Sequence, residues 1–330
     1  MRRVAPLLLL AGFLLGQEPG PADTRLDKAN QQAAAHVHRT FARQGKLLTT
    51  QFKGLRKEDV IVLGGLFDFV QEVLRAYRLE HTVLTPAELE HHPLPEPERK
   101  IIFLNCHLLD RRFPPSQHPA GRASDEEAAV QLRRVLRQAG LDGAGAPGQA
   151  IRERFAEVSH FAGSDYSQAG LKRLGGAIRA GAWAVSTDWA VLALERALPD
   201  MIRWTGRTTF EEKVEVRPAL AGRRHPLLKG VFPDPAKAKW WIESESYLFA
   251  TGKGRATALV ESRALGARYR GNRSVVVLLE PGKGRVLHAL THGYLQKGKA
   301  EDVCVMQGLL LNFVIAKSLQ NHERALKAAK

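Results

Sequence analysis

Cysteine is nearly absent: the 330 residues hold two, Cys106 and Cys304. A disulfide-built scaffold is therefore excluded, and the pair admits either one disulfide or two buried free thiols. No Cys-x-x-Cys or paired-histidine spacing marks a structural zinc site. His91-His92 lies beside Pro93 in a proline-rich loop, a setting for exposed imidazoles rather than metal ligands. No phosphate loop of the Walker type is present. Gly252-Lys253-Gly254-Arg255 and Gly282-Lys283-Gly284-Arg285 lack its spacing and its strand–loop–helix context, and read as hairpin turns. Basic residues outnumber acidic ones, 49 to 34, for a net charge of +15, yet long basic runs are missing. The densest pairs are Arg111-Arg112, Arg133-Arg134 and Arg223-Arg224. Without a zinc-finger or RNP-type motif, specific nucleic-acid binding is not expected, whereas an anionic surface or polymer suits the charge. What is present, 44% hydrophobic and 25% charged residues, is an ordinary globular composition.

A long apolar stretch without charge lies at the start. Met1-Arg2-Arg3 precedes an apolar run to Leu15, and Gly20-Pro21-Ala22 supplies small residues. This is the pattern of a secretory signal peptide cut near Ala22, too short to span a bilayer, which takes about 20 residues. The expectation is an exported protein, periplasmic or extracellular, with no transmembrane segment after cleavage. Residues 23–58 read as an N-terminal helical arm.

From Asp59 the rhythm is α/β. Val60-Ile61-Val62-Leu63 is a continuous branched apolar run followed by Gly64-Gly65, the signature of a buried parallel strand and its turn. Phe67, Val70, Val73, Leu74 and Tyr77 follow at helical spacing. His81–Leu84 and Lys100–Leu104 read as further strands. Alternation of this kind predicts a parallel sheet. Residues 107–163 break it: Pro114-Pro115 opens a loop, Ser124-Asp125-Glu126-Glu127 is a capping box, and 141–148 is a glycine-rich linker, so an insertion with one or two helices is expected. Leu171, Leu174 and Ile178 mark a helix ended by Gly181, and 182–187 a fourth strand. Segments 212–216, 240–250, 256–261 and 274–290 read as shorter strands and hairpins, and Met306 to Ala316 as a deeply packed last helix.

The opening strand with Gly64-Gly65, the strand Ile101–Asn105, the segment Leu171–Asp188 and the segment Gly282–His292 together resemble the class I glutamine amidotransferase-like superfamily, including its trehalose-utilisation-type (ThuA-like) members. The resemblance covers roughly 59–106 and 165–320. It implies one α/β domain over 59–330, a flavodoxin-like three-layer sandwich with a mostly parallel sheet, extra antiparallel strands in the C-terminal half and a helical insertion. It also implies where a glutaminase site would fall. The elbow nucleophile maps to Ser186, flanked by Ala184 and by Asp188 in place of the second small residue. The base maps to His292, its orienting carboxylate to Tyr294, and the oxyanion-hole glycines to Asn105-Cys106. With the elbow thiol, the orienter and the glycines replaced, a thiolate glutaminase is not implied.

Four functional readings follow. The first is a binding protein whose crevice at the strand ends is lined by Gly65, Asn105, Cys106, His107, Ser186, Thr187, Asp188, His292 and Tyr294, taking a small ligand. Trp183, Trp189, Trp240 and Trp241 offer faces that suit a carbohydrate or a core equally. The second is a hydrolase with Ser186 as nucleophile, His292 as base and Asp188 as orienter, Asp188 being equally apt as a helix cap. The third is a thiol enzyme built on Cys106-His107. The fourth is an envelope protein whose arm and insertion dock a partner protein. None of the four calls for a cofactor or a metal.

Overall fold

The computed structural model describes residues 31–37, 39, 51–65, 68–107, 164–232, 238–243, 245–252, 255–294 and 300–329. The signal-peptide, capping-box and glycine-linker readings, and the rest of the insertion beyond His107, lie outside the described residues, as do parts of the arm and of the Gly252–Arg255 turn.

The central sheet has eight strands in the order β2-β1-β3-β4-β12-β11-β10-β7. β1 (Val60–Leu63), β2 (Thr82–Leu84), β3 (Ile101–Leu104), β4 (Trp183–Thr187) and β12 (Arg285–Ala289) run parallel. β11 (Ser274–Leu279), β10 (Ala256–Glu261) and the short β7 (Arg217–Pro218) continue it antiparallel. The 2-1-3-4 order of the parallel half, with the crossover between β1 and β3, is that of flavodoxin-like α/β folds. The branched runs behave as their composition dictates: every residue of β1 and β3 is buried, and each such side chain contributes about 1.5–3 kcal/mol.

α1 (Val70–Ala76) follows β1, α2 (Gln168–Ala180) leads into β4, and α3 (Val191–Ala197) leaves it. Ser167 caps α2 by accepting from the Gly170 N–H at 2.9 Å, and Gly181 ends it at φ 129°. The Gly282–Arg285 turn is confirmed as a hairpin between β11 and β12. Its glycine content has a packing reason: a Cβ on Gly284 would sit 1.9 Å from the Ile178 carbonyl oxygen at the end of α2.

Two ribbons flank the sheet. β5 (Ile202–Thr208) pairs with β9 (Tyr247–Thr251), and β6 (Glu212–Glu215) with β8 (Lys239–Ile242). The segment 240–250, read among the short strands and hairpins, holds parts of β8 and β9 with Glu243, Glu245 and Ser246 between them. Thr209 ties this connection: its hydroxyl donates to the Glu243 carbonyl at 2.6 Å and its N–H to the Ser246 carbonyl at 3.0 Å. α4 (Arg263–Arg268) connects β10 and β11.

α5 (Ala300–Ala328) extends the expected last helix at both ends and is deeply packed, as Met306–Ala316 implies. Residues 302–328 reach membrane-spanning length and contain an 18-residue window of mean hydropathy 1.4, but 83% of that window is buried inside the protein, which makes this the core helix. Residues 31–37 are helical and lie on it: Ala33 packs with Val303 and Cys304. Cys106 and Cys304 are both buried and are not bridged by a disulfide, the second of the two alternatives their number admits.

Candidate functional site

The carboxyl ends of β1, β3, β4 and β12 meet Glu243 and Ser246, from the connection between β8 and β9, in a buried polar cluster. Three strand ends and one loop supply its chemistry: Cys106 after β3, Asp188 after β4, His292 after β12, and Glu243 with Ser246 from the loop.

Asp188 is the residue on which the chain turns from β4 into the next helix, and it stands at φ 44°. That left-handed geometry is the strain a strand-to-helix elbow carries, and an aspartate tolerates it better than most residues. Ser186, to which the resemblance maps the elbow, lies two residues earlier inside β4. Its strand partner is His288, and its hydroxyl is 2.8 Å from His288 Nδ1. The expected Ser186–His292 couple is therefore replaced by two separate pairings.

His292 faces carboxylates on both sides. Its Nδ1 is 2.7 Å from Glu243 Oε1 and its Nε2 is 3.6 Å from Asp188 Oδ2. Asp188 also accepts from the Ser246 hydroxyl at 3.1 Å and from the Tyr247 N–H at 2.9 Å. Cys106 Sγ lies 4.0 Å from the same Asp188 Oδ2. The ligand-type atoms of Cys106, Asp188 and His292 all lie within 4.8 Å of one another, so these three could hold a metal ion.

The electrostatics follow from burial. Desolvation, and then the charge of Asp188, push the Cys106 thiol up to about 12, so it is protonated at neutral pH. Desolvation raises Asp188 well above the carboxylate range, with Glu243 adding to it, and raises Glu243 as well. Desolvation alone would lower His292, but Glu243 and Cys106 outweigh it and hold the imidazole well above its usual value. His288 has no such partner, and burial lowers it to about 3. Phe249 sits edge-on to its ring at 4.6 Å.

The other expected crevice residues are brought to the same edge, where they hold it together. Asn105 accepts from the Val70 N–H at 3.2 Å and donates to Gln71 at 2.9 Å. A Cβ on Gly65 would lie 2.4 Å from the Cys106 carbonyl oxygen, so β1 and β3 touch there through backbone. His107 is tied through Nε2 to the Ser164 carbonyl at 2.7 Å and turns its ring edge to Tyr166, away from a Cys-His couple. Thr187 is buried at the end of β4. Tyr294 packs edge-on against Phe69, and its N–H donates to Asp68 at 3.0 Å. Trp183, Trp240 and Trp241 are buried in the core, while Trp189 stacks on Tyr247 at 5.3 Å.

Glu243 escapes sequence reading. A lone acid inside Trp240-Trp241-Ile242-Glu243 is the available signal, since an uncompensated carboxylate is costly in an apolar run.

No protein-family model matches the chain, and no curated protein matches it. Among solved structures, that of a GMP synthase component from Thermoplasma acidophilum is similar over 82% of this chain and 98% of its own, at 9% identity and TM-score 0.43. A glutamine amidotransferase from Thermotoga maritima is similar over 80% of this chain and 99% of its own, at 9% identity and TM-score 0.40. A β-galactosidase from Bacillus circulans sp. alkalophilus is similar over 78% of this chain but 30% of its own, at 10% identity and TM-score 0.36. At these scores the likenesses carry neither activity nor site residues to this chain.

Proposed function

We propose that this chain is an exported, non-glutaminase protein of the glutamine amidotransferase-like type that works by binding a small ligand at the carboxyl edge of its parallel strands. The observation that carries the reading is the buried cluster Cys106–Asp188–Glu243–His292 at that edge. Open α/β sheets bind ligands there, and a group of ionisable side chains with shifted proton affinities marks functional positions more often than structural ones. A glutaminase is disfavoured because the elbow carries a carboxylate and the nearest thiol holds its proton up to about pH 12. A serine hydrolase is disfavoured because Ser186 is fully buried against His288, an imidazole too weakly basic to activate it. The export part of the reading rests on residues 1–22 alone.

The test is a thermal-shift screen of the purified protein against divalent cations, sugars and small anions. A ligand at a hundredfold its Kd stabilises by about 2.7 kcal/mol, a Tm rise of about 4 °C in a chain of this size. Absence of any shift at millimolar concentrations overturns the proposal.

One observation favours a second reading. Asp188 on the elbow, His292 behind it and Glu243 behind His292 have the order of nucleophile, base and orienter. Ester hydrolysis abolished in Asp188→Asn and kept in Ser186→Ala supports a carboxylate-nucleophile hydrolase, and no hydrolysis by the native protein removes it.

A further inference from the structure

Four ionisable side chains of ligand type are packed together out of solvent, and three of them converge. Cys106 Sγ and His292 Nε2 approach one oxygen, Asp188 Oδ2, from 4.0 and 3.6 Å. In a tetrahedral zinc site with bonds near 2.3 Å to sulfur and 2.0–2.2 Å to nitrogen and oxygen, the sulfur–oxygen and nitrogen–oxygen separations are about 3.6 and about 3.4 Å. These two sides need to contract by only about 0.2–0.4 Å to hold such an ion, and the third, between Cys106 and His292, lies within 4.8 Å.

The surroundings have the same character. His292 turns its other nitrogen to Glu243 at 2.7 Å. A metal-bound histidine almost always gives its second ring N–H to a carboxylate or carbonyl, and Glu243, at ion-pair distance from Nδ1, is the carboxylate placed to take it once the ring is oriented by an ion. The Asp188 carboxylate is itself held by the Ser246 hydroxyl and the Tyr247 N–H, as ligating carboxylates are. Glu243 is in turn placed by the Thr209 contact to its backbone.

We infer that Cys106, Asp188 and His292 form a three-ligand site for a zinc-class divalent cation, with Glu243 as the carboxylate that orients His292. The inference rests on the binding reading above and names its ligand. A thiolate–imidazole–carboxylate set selects zinc, or cobalt as its substitute, over magnesium and calcium, which prefer all-oxygen sites. Zinc takes a thiolate, a carboxylate and a neutral imidazole, so protons carried by Cys106 Sγ, Asp188 and His292 Nε2 leave to solvent as the ion enters. Three protein ligands are the number found where one position is left for a further ligand. Spacing rules do not reveal the site because its ligands come from the ends of three different strands, Cys106 and Asp188 being 82 residues apart.

The test uses the full chain, stripped with chelator and loaded with Co²⁺ or Zn²⁺. The expected result is one zinc per chain after gel filtration and, in the cobalt form, a thiolate-to-cobalt charge-transfer band. The band disappears in Cys106→Ala and persists in Cys304→Ala, whose sulfur lies against the Ala33 carbonyl. Glu243→Gln weakens metal affinity about 10- to 100-fold. Circular dichroism checks folding, and Cys106→Ser and Asp188→Asn serve if Cys106→Ala does not fold. No cobalt band, or a band and zinc content unchanged in the Cys106 variants, overturns the metal site. If an organic ligand then still shifts the Tm, the binding reading stands without the metal; if nothing does, both fall.

Discussion

Asp59 and Asp188 are both buried carboxylates at ends of parallel strands, Asp59 just before β1 and Asp188 just after β4, and the fold treats them oppositely. Asp59 is surrounded by cations: Arg56, Arg99 and Lys100 each lie 3.1 Å from its oxygens. Burial would raise its proton affinity, but these bonds outweigh burial and lower it. Nearby on the same amino edge, the Lys317 ammonium is held by the Gly181 and Glu98 carbonyls and by Gln320. At the carboxyl edge the acids face one another, and Asp188, Glu243 and Cys106 are all driven toward their protonated forms. The charge of Asp59 is compensated by its cations, whereas the acids around Asp188 are set against one another. That asymmetry supports the second cluster as the candidate site.

The comparison breaks most readily at the amino edge. Asp59→Ala leaves the buried Lys100 without its counter-ion and should cost about 3–5 kcal/mol in denaturant unfolding. Acid should act next. The unfolded chain protonates His288 near its ordinary value of 6.5, while the fold refuses that proton down to about 3. His288 therefore contributes a loss of stability as pH drops through this window, by up to about 1.4 kcal/mol per pH unit, opposite in sign to the contribution of the raised Asp188 and Glu243. Asp59, whose proton affinity is lowered, adds in the same direction as His288 below the ordinary carboxylate range. The unfolding free energy of the native chain minus that of a His288→Leu variant should therefore fall between about pH 6 and 4, read from urea midpoints at each pH. The carboxyl edge should respond weakly to its own neutralisation. Asp188→Asn keeps the elbow geometry that asparagine tolerates and removes a like-charge conflict, so unfolding free energy should change by less than about 1 kcal/mol or rise. A loss as large as that of Asp59→Ala would erase the distinction between the two edges. The smallest effect is an absence: native protein at pH 8 should leave Cys106 unlabelled by iodoacetamide over hours, and rapid labelling would show a thiolate where burial predicts a thiol.

The parallel half is legible in the sequence because buried parallel strands announce themselves as continuous branched runs. Val60–Leu63 and Ile101–Leu104 are observed where the runs place them, and 182–187 shifts by a single residue. β5 is invisible in the same way of reading: its exposed Arg203, Thr205, Gly206 and Arg207 give no apolar signal, since its pairing with β9 is made through backbone. At the site, Cys106, Asp188 and His292 are legible as polar residues following strands. Their connections are not. Ser186 and His288 pair because they stand in register on β4 and β12, a relation that exists only once the sheet is formed. Glu243 is hidden because it stands in the connection between β8 and β9, tied by Thr209, inside a segment read among the short strands and hairpins.

Asp68 gives the crevice a place in time. Its carboxylate accepts the N–H groups of Phe69, Gly293 and Tyr294, the last two more than 220 residues downstream. On a ribosome adding 5–20 residues per second, roughly ten to forty-five seconds separate the making of this acceptor from the making of those donors. The strand ends that frame the site cannot be sealed until β12 has been inserted between β4 and β11. From the making of β1 until β12 emerges the chain therefore carries a half-built cluster with an open seam.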